Sequence, residues 1–134
     1  MVSEIKYSYS KEIITNTVRL RLLSNGIVHY TYLSNSIVCE QEHQHNHNAL
    51  VDIAENKKLP ILIDANDFIN LTPEARELIR KLEHIAPIYK RAVVIRSLGQ
   101  RLLANFYVKF HKPIVSTKIF ESYDYALKWL KLSE

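Results

Sequence analysis

Between Leu59 and Leu132 a short apolar run followed by an amphipathic helical stretch occurs three times in succession. This rhythm restricts the chain to an α/β fold with largely parallel strands, because each helix carries the chain back to begin the next strand. The first run, Leu59-Pro60-Ile61-Leu62-Ile63-Asp64, is short, aliphatic and closed by an acid, as a strand covered on both faces requires. Thr72-Pro73-Glu74-Ala75 then opens a helix, with threonine as N-cap, proline at the first helical position and an acid facing the positive end of the dipole. Ala75, Leu78, Ile79 and Leu82 form its expected buried stripe, and Pro87 stops it.

The second strand is expected at Ala92-Val93-Val94-Ile95. Ser97-Leu98-Gly99-Gln100 has capping-box spacing and starts a helix to about Phe110, with Leu98, Leu102, Leu103 and Phe106 on its inner side. After Pro113 the third strand runs from Ile114 to Phe120; Ser116, Thr117 and Lys118 make it more polar and place it at a sheet edge. Ser122 caps a last helix that buries Tyr123, Ala126, Leu127 and Leu130.

Ahead of these units, Val18-Arg19-Leu20-Arg21-Leu22 alternates apolar and charged residues, the pattern of a half-exposed strand, expected at the other edge. Asn25-Gly26 suits the positive φ of a tight hairpin turn into the β-rich run Ile27 to Tyr32, so the two runs pair antiparallel. Residues 1–16 are an extension in which Ile5 to Tyr9 offers one short strand. Ala49, Leu50, Ile53 and Ala54 mark a helix ending near Asn56. The expected fold is therefore a mixed sheet of about five strands, an antiparallel N-terminal hairpin followed by parallel strand-helix units, covered by about four helices.

At 134 residues with 47% apolar content the chain fits one domain with a real core. It lacks the roughly 20 uninterrupted apolar residues of a membrane span, and its N-terminus does not read as a signal peptide. The single cysteine, Cys39, excludes an internal disulfide. A cytoplasmic location is expected. The net charge of +4 is modest, and basic residues alternate with acids along the Glu74 to Glu83 helix, so nucleic-acid binding is not expected.

The chain resembles the STAS and anti-sigma-factor-antagonist superfamily, and within it small uncharacterised bacterial proteins of that fold. Asn25-Gly26-Ile27-Val28, Leu62-Ile63-Asp64, Leu71-Thr72-Pro73-Glu74-Ala75-Arg76, Asn105-Phe106 and Lys112-Pro113 carry the likeness, which spans Val18 to Leu132. The resemblance implies a mixed sheet covered by helices and a regulatory role through protein contact instead of catalysis. Antagonist-type members carry a phosphorylatable serine at the helix start; here Thr72-Pro73-Glu74-Ala75 occupies that place and holds no serine. Thr72 matches the motif's aspartate and is expected to cap the helix.

Candidate site residues fall into three groups. Asp64, Asn66 and Asp67 follow a central strand, where open α/β sheets bind ligands, although capping and turn formation also explain them. A receiver-type Mg²⁺ site would further need an early acidic pair, and Asn35 and Ser36 stand there instead. Arg96, Ser97 and Arg101 surround a helix start that favours anions, with Ser97 as cap in the plainer reading. His43, His45 and His47 form a metal-like cluster in which only His43 and His47 share a helix face at i, i+4. No cofactor is expected, and Cys39 has only His43 as a nearby base, too little for a nucleophile. Lys90 and Arg91 with Arg96 and Arg101 would be the cations of any nucleic-acid surface.

Two binding modes follow. One is protein contact, with a homodimer among its forms, using these loops and the tyrosine pairs Tyr7/Tyr9 and Tyr30/Tyr32. The other is a small ligand or lipid held between helices and sheet, which requires an apolar cavity near Phe106, Tyr107 and Phe110.

Overall fold

The computed structural model describes residues 7–65 and 70–131. Six strands form the main sheet: β1 (Tyr9–Ile14), β2 (Val18–Leu23), β3 (Val28–Tyr32), β5 (Leu59–Asp64), β7 (Ile88–Val94) and β8 (Thr117–Phe120), side by side in that order. A separate parallel ribbon pairs β4 (Ile37–Val38) with β6 (Asn70–Leu71). The helices are α1 (Glu40–Ala54), α2 (Pro73–Leu82), α3 (Leu98–His111) and α4 (Tyr123–Lys131).

β1, β2 and β3 are antiparallel, and β3, β5, β7 and β8 run parallel, the arrangement anticipated from the strand-helix rhythm. The hairpin between β2 and β3 closes with a three-residue loop. Gly26 N–H bonds the Leu23 carbonyl at 3.0 Å and Leu23 N–H bonds the Ile27 carbonyl at 2.9 Å. Gly26 alone takes positive φ there, +87°, a conformation that glycine reaches without a Cβ penalty.

Several expectations are corrected. β1 begins at Tyr9, where the expected short strand was to end, and runs on to Ile14, while Ile5 and Lys6 lie outside the described residues. β1 covers β2, so Val18–Leu23 is an interior strand; of its two arginines, Arg21 pairs with Glu12 at 2.6 Å and lies over the Tyr9 ring, while Arg19 keeps a buried Nε without a hydrogen-bond partner. β7 starts at Ile88, four residues before the apolar run, because Lys90 and Arg91 both find internal partners.

Side-chain alternation divides the core in two. On one face Val18, Leu20, Val28, Tyr30 and Ile61 pack against Ala49, Leu50 and Ile53 of α1. On the other, Leu23, Ile27, Leu62, Ala92 and Val94 pack against Tyr123, Ala126 and Leu130 of α4. Leu127 is only partly buried there.

α2 and α3 depart further from the sequence pattern. Thr72 Oγ1 accepts from Ala75 N–H at 3.1 Å, as the cap motif requires, yet Ala75 is the only buried residue of α2. Leu78, Ile79 and Leu82 are half-buried, because α2 leans on α1 and stands off the sheet. α3 buries nothing fully. Its expected inner residues point outward: Leu98, Leu102, Leu103 and Phe106 are 60–71% exposed. The guanidinium of Arg101 sets this roll, donating to the carbonyls of Ile95 at 3.1 Å and Arg96 at 2.6 Å. Arg101 and, at helical spacing, Ala104 and Val108 consequently form the half-buried side of the helix.

Candidate functional site

The stand-off of α2 and α3 leaves a cavity of about 690 Å³ between the sheet and α1, α2 and α3. Its floor comes from alternating strand positions, Ile61 and Ile63 of β5, Val93 of β7 and Ile119 of β8. Ile79 and Leu82 line it from α2, and Ala104, Tyr107 and Val108 from α3. This places an apolar lining where the ligand-binding reading requires one, although of Phe106, Tyr107 and Phe110 only Tyr107 reaches it.

Polar groups converge at the α1 wall. Tyr30 and Tyr32, two apart on β3, meet edge to face with centroids 5.2 Å apart and line the cavity beside His43, Asn46 and His47. Burial raises both phenols above their ordinary pKa of 10.0, so both are neutral hydroxyls at neutral pH. Asn46 is fully buried and fixed by Thr15 and Thr17, whose hydroxyls reach its Oδ1 at 2.6 and 3.2 Å. Burial depresses His43 to about 4, with His47 adding like-charge opposition, and burial also lowers His47. Both imidazoles are therefore neutral at pH 7. His43 Nδ1 is buried without a hydrogen-bond partner.

Opposite them lies a closed ion pair. Arg91 Nη2 reaches Glu83 Oε1 at 2.8 Å, and Arg91 Nε and Nη2 reach Thr117 Oγ1 at 3.1 and 3.0 Å. The second Glu83 oxygen accepts from the Ile114 amide at 2.7 Å. The two side chains are only 12% and 9% exposed, so the pair joins the end of α2 to the sheet with its charges balanced.

A family model described as a domain of unknown function, DUF7793, matches residues 21–133. The chain belongs to that family. No curated protein matches it. Among solved structures, it is similar to an uncharacterised DUF3478-family protein from Shewanella loihica PV-4, described as having a SpoIIAA-like fold. The TM-score is 0.59 and the identity 14%, over 97% of this chain and 99% of that one. This DUF7793 chain thus has the STAS-like fold that its sequence resembles. A protein of unknown function from Arthrobacter sp. FB24 is 23% identical over 85% of this chain and 99% of that one, with a TM-score of 0.32.

The residues singled out in the DUF7793 sequence are distributed over three places. Asp64 lies beneath α4, on the face away from the cavity, 8% exposed, and accepts a hydrogen bond from the Tyr123 hydroxyl. Arg96 lies 5.1 Å from the centre of the Tyr123 ring, and His29 meets that ring edge on at 5.9 Å. Burial depresses His29 to about 4 although Asp64 opposes the shift. His29, Asp64 and Tyr123 are each at most 8% exposed, so this polar cluster is sealed in the core. Asn66 and Asp67 lie outside the described residues.

Ser97 accepts from Gln100 N–H at 3.4 Å and Thr72 caps α2, so both hydroxyls serve helix starts. Arg101 holds the backbone at the end of β7 and approaches Glu121 at 3.7 Å. Lys90 is 2% exposed and donates to the Trp129 carbonyl at 2.7 Å. The four cations of the nucleic-acid reading are thus built into the fold and leave no shared basic face.

Of the histidine cluster, the structure brings His43 and His47 to the cavity, on the side of α1 facing inward, while His45 is exposed; Arg91 and the Tyr30/Tyr32 pair line it as well. Among the described residues no group of three or more His, Cys, Asp or Glu side chains is placed to hold a metal ion. Cys39 occupies the N-cap position of α1 with no side-chain cap bond. The Arg91–Glu83 pair escaped the sequence reading. Its signal was the alternation Ile88, Lys90, Ala92 against Tyr89, Arg91, Val93, which extends the strand backwards from its apolar end.

Among the described residues, no helix is long and apolar enough to cross a membrane.

Proposed function

We propose that this chain is a non-enzymatic regulatory module that works by binding another protein through the outer side of α3. The observation that carries the reading is the exposure of Leu102, Leu103, Phe106 and Phe110 at 60–71% on one helix. A helix apolar on both sides calls for cover on both sides, and an apolar patch of this kind on a soluble domain marks a contact surface. Lys109 and Lys112 flank the patch, so the partner that fits presents an apolar ridge with an acidic margin. The absence of a catalytic role is supported by the occupation of the candidate nucleophiles: Ser97 and Thr72 cap helices, and the His29–Asp64–Tyr123 cluster is covered by α4.

The test is a photo-reactive residue placed at Phe106, with one at Glu77 of α2 as control. A protein adduct specific to position 106 and lost with Leu103→Lys is expected. Adducts shared equally by both positions overturn the reading, and an adduct with the chain itself replaces it by a homodimer.

The cavity favours a second reading, a small-ligand-binding domain. Its volume of about 690 Å³ lies within the range of roughly 300–1,000 Å³ that ligand sites occupy. The two readings use opposite sides of α3 and are compatible: a ligand under the helix alters the surface above it.

A further inference from the structure

We propose that the cavity takes an amphipathic monoanion, its apolar body seated on the sheet and its one anionic head group at the rim, where α2 ends beside the loop that follows α3. The inference rests on the ligand-binding reading above and names the chemical class that the site selects.

The body of the ligand follows from the floor and the roof. Ile61, Ile63, Val93 and Ile119 below and Ile79 and Leu82 above offer aliphatic contact and no side-chain hydrogen bonds. A molecule polar along its whole length would lose its hydration there without replacement.

The head group follows from a charge imbalance in the lining. Five cations line the cavity, Arg76, Arg80, Lys81, Arg91 and Lys112, against two acids, Glu77 and Glu83. Both acids are taken: Glu83 holds Arg91 at 2.8 Å and Glu77 holds Arg80 at 3.2 Å. Arg76, Lys81 and Lys112 are left without a carboxylate partner among the described residues, and Arg76 donates instead to the Leu71 carbonyl at 2.9 Å. The lining therefore has positive charge in excess and no acid to spare.

The place of the head group follows from the packing of two helix ends. Glu83 accepts from the Ile114 amide at 2.7 Å, which draws the end of α2 against the loop after α3. Lys81 lies two residues before Glu83 and Lys112 two before Ile114, so the two lysines flank one junction. Both are exposed, so a head group beside them keeps part of its water while the body is buried. Arg76, about 7.5 Å back along α2 from Lys81, extends the positive rim. Carried deeper, an anion would forfeit its hydration against aliphatic side chains; at the rim it meets unpaired cations instead. Each such exposed contact is weak alone, so the advantage of an anion over its neutral analogue comes from two or three together.

The experiment uses the full chain and the neutral fluorophore N-phenyl-1-naphthylamine, displaced at neutral pH and low salt by decanoate, decyl phosphate or decanol. At least one of the two anions is expected to displace the probe at a concentration roughly tenfold lower than decanol, about 1.4 kcal/mol of preference, and which one does so identifies the head group. Added salt is expected to shrink that preference, because the cations are exposed. Lys81→Gln, on α2 and away from the outer patch of α3, is expected to reduce it about threefold, and Lys81→Gln combined with Lys112→Gln to abolish it. Ala104→Trp and, independently, Ile119→Trp fill the cavity and are expected to abolish probe binding with the helical circular dichroism retained.

The outcomes separate site, class and placement. Probe binding that survives either tryptophan variant with its helical signal intact, or no binding to the native chain, overturns the cavity as a ligand site and the ligand-binding reading with it. Binding that both variants block, but in which decanol competes as well as either anion, overturns the anionic class and leaves the cavity standing. A preference for the anion that the two lysine substitutions leave unchanged overturns the placement of the head group.

Discussion

Under α4, Leu62, Ala92 and Val94 meet Tyr123, Ala126 and Leu130, and none of the six is more than 5% exposed. On the opposite face Ile63 and Val93, their neighbours along the same strands, look into a cavity of about 690 Å³. The strands are equally aliphatic on both faces, so the difference arises in the helices. α4 approaches through Ala126, which is fully buried and lets the helix sit close. α2 has one buried residue, Ala75, and packs chiefly on α1, and α3 is held by an arginine bound to the backbone just past the end of β7. One face is closed throughout, whereas the other is closed under α1 and leaves room under α2 and α3.

The largest test of that contrast compares adjacent residues. Leu62→Ala opens a void in the closed face and is expected to cost about 2–5 kcal/mol, while Ile63→Ala enlarges existing space and is expected to cost only about 1 kcal/mol. Urea denaturation of the two variants measures this directly, and equal losses would mean that the two faces are packed alike. Next in size, Tyr123→Phe leaves the Asp64 carboxylate without its phenolic donor inside the closed face, an expected loss of about 1–3 kcal/mol by the same method.

The pH dependence probes both faces at once. His29 beneath α4 and His43 at the cavity are each lowered to about 4 from 6.5 by burial. Between these values the unfolded chain binds more protons than the native one. Stability is therefore fully present above pH 6.5 and declines as the pH falls toward 4. At pH 5 each histidine is expected to contribute a loss on the order of 1–2 kcal/mol. His29→Gln and His43→Gln each remove one share, and the His43 share shrinks when solvent enters the cavity. Smallest is Leu103→Lys: with its side chain already outside, the stability change is expected to stay within about 0.5 kcal/mol. Binding of an apolar surface dye should nevertheless fall, and a loss above about 2 kcal/mol would place Leu103 in the core.

The closed face was largely legible in the sequence. The aliphatic runs mark the buried strands, the hairpin turn rests on bonds within a few residues, and Tyr123, Ala126 and Leu130 announce their face by spacing alone; the caps at Thr72 and Ser97 are as local, but they open helices of the other face. The cavity was not legible in this way. Helical spacing identifies an apolar stripe but not its distance from the sheet, which for α3 depends on Arg101 bonding to carbonyls five and six residues earlier. Asp64 illustrates the same limit. It ends its strand as the motif suggests, but the parity of β5 turns it toward α4, and a tyrosine 59 residues later claims it. His43 and His47 were drawn out as a metal pair by spacing; their place at the cavity depends on the roll of α1, which Asn46 fixes through threonines about 30 residues away.

The small ribbon of β4 and β6 bears on how the cavity fills. It joins the entrance of α1 to that of α2, with Asn70 N–H bonded to the Ser36 carbonyl at 2.9 Å and Thr72 N–H to that of Val38 at 3.1 Å. At its other end α2 is pinned by Glu83 to Arg91. A helix fastened at its two ends and resting sideways on α1, with no strand beneath it, is a beam across a span. No bond of the main sheet runs through its middle, so the headroom beneath it is set by two end fastenings and one lateral contact instead of by the strands.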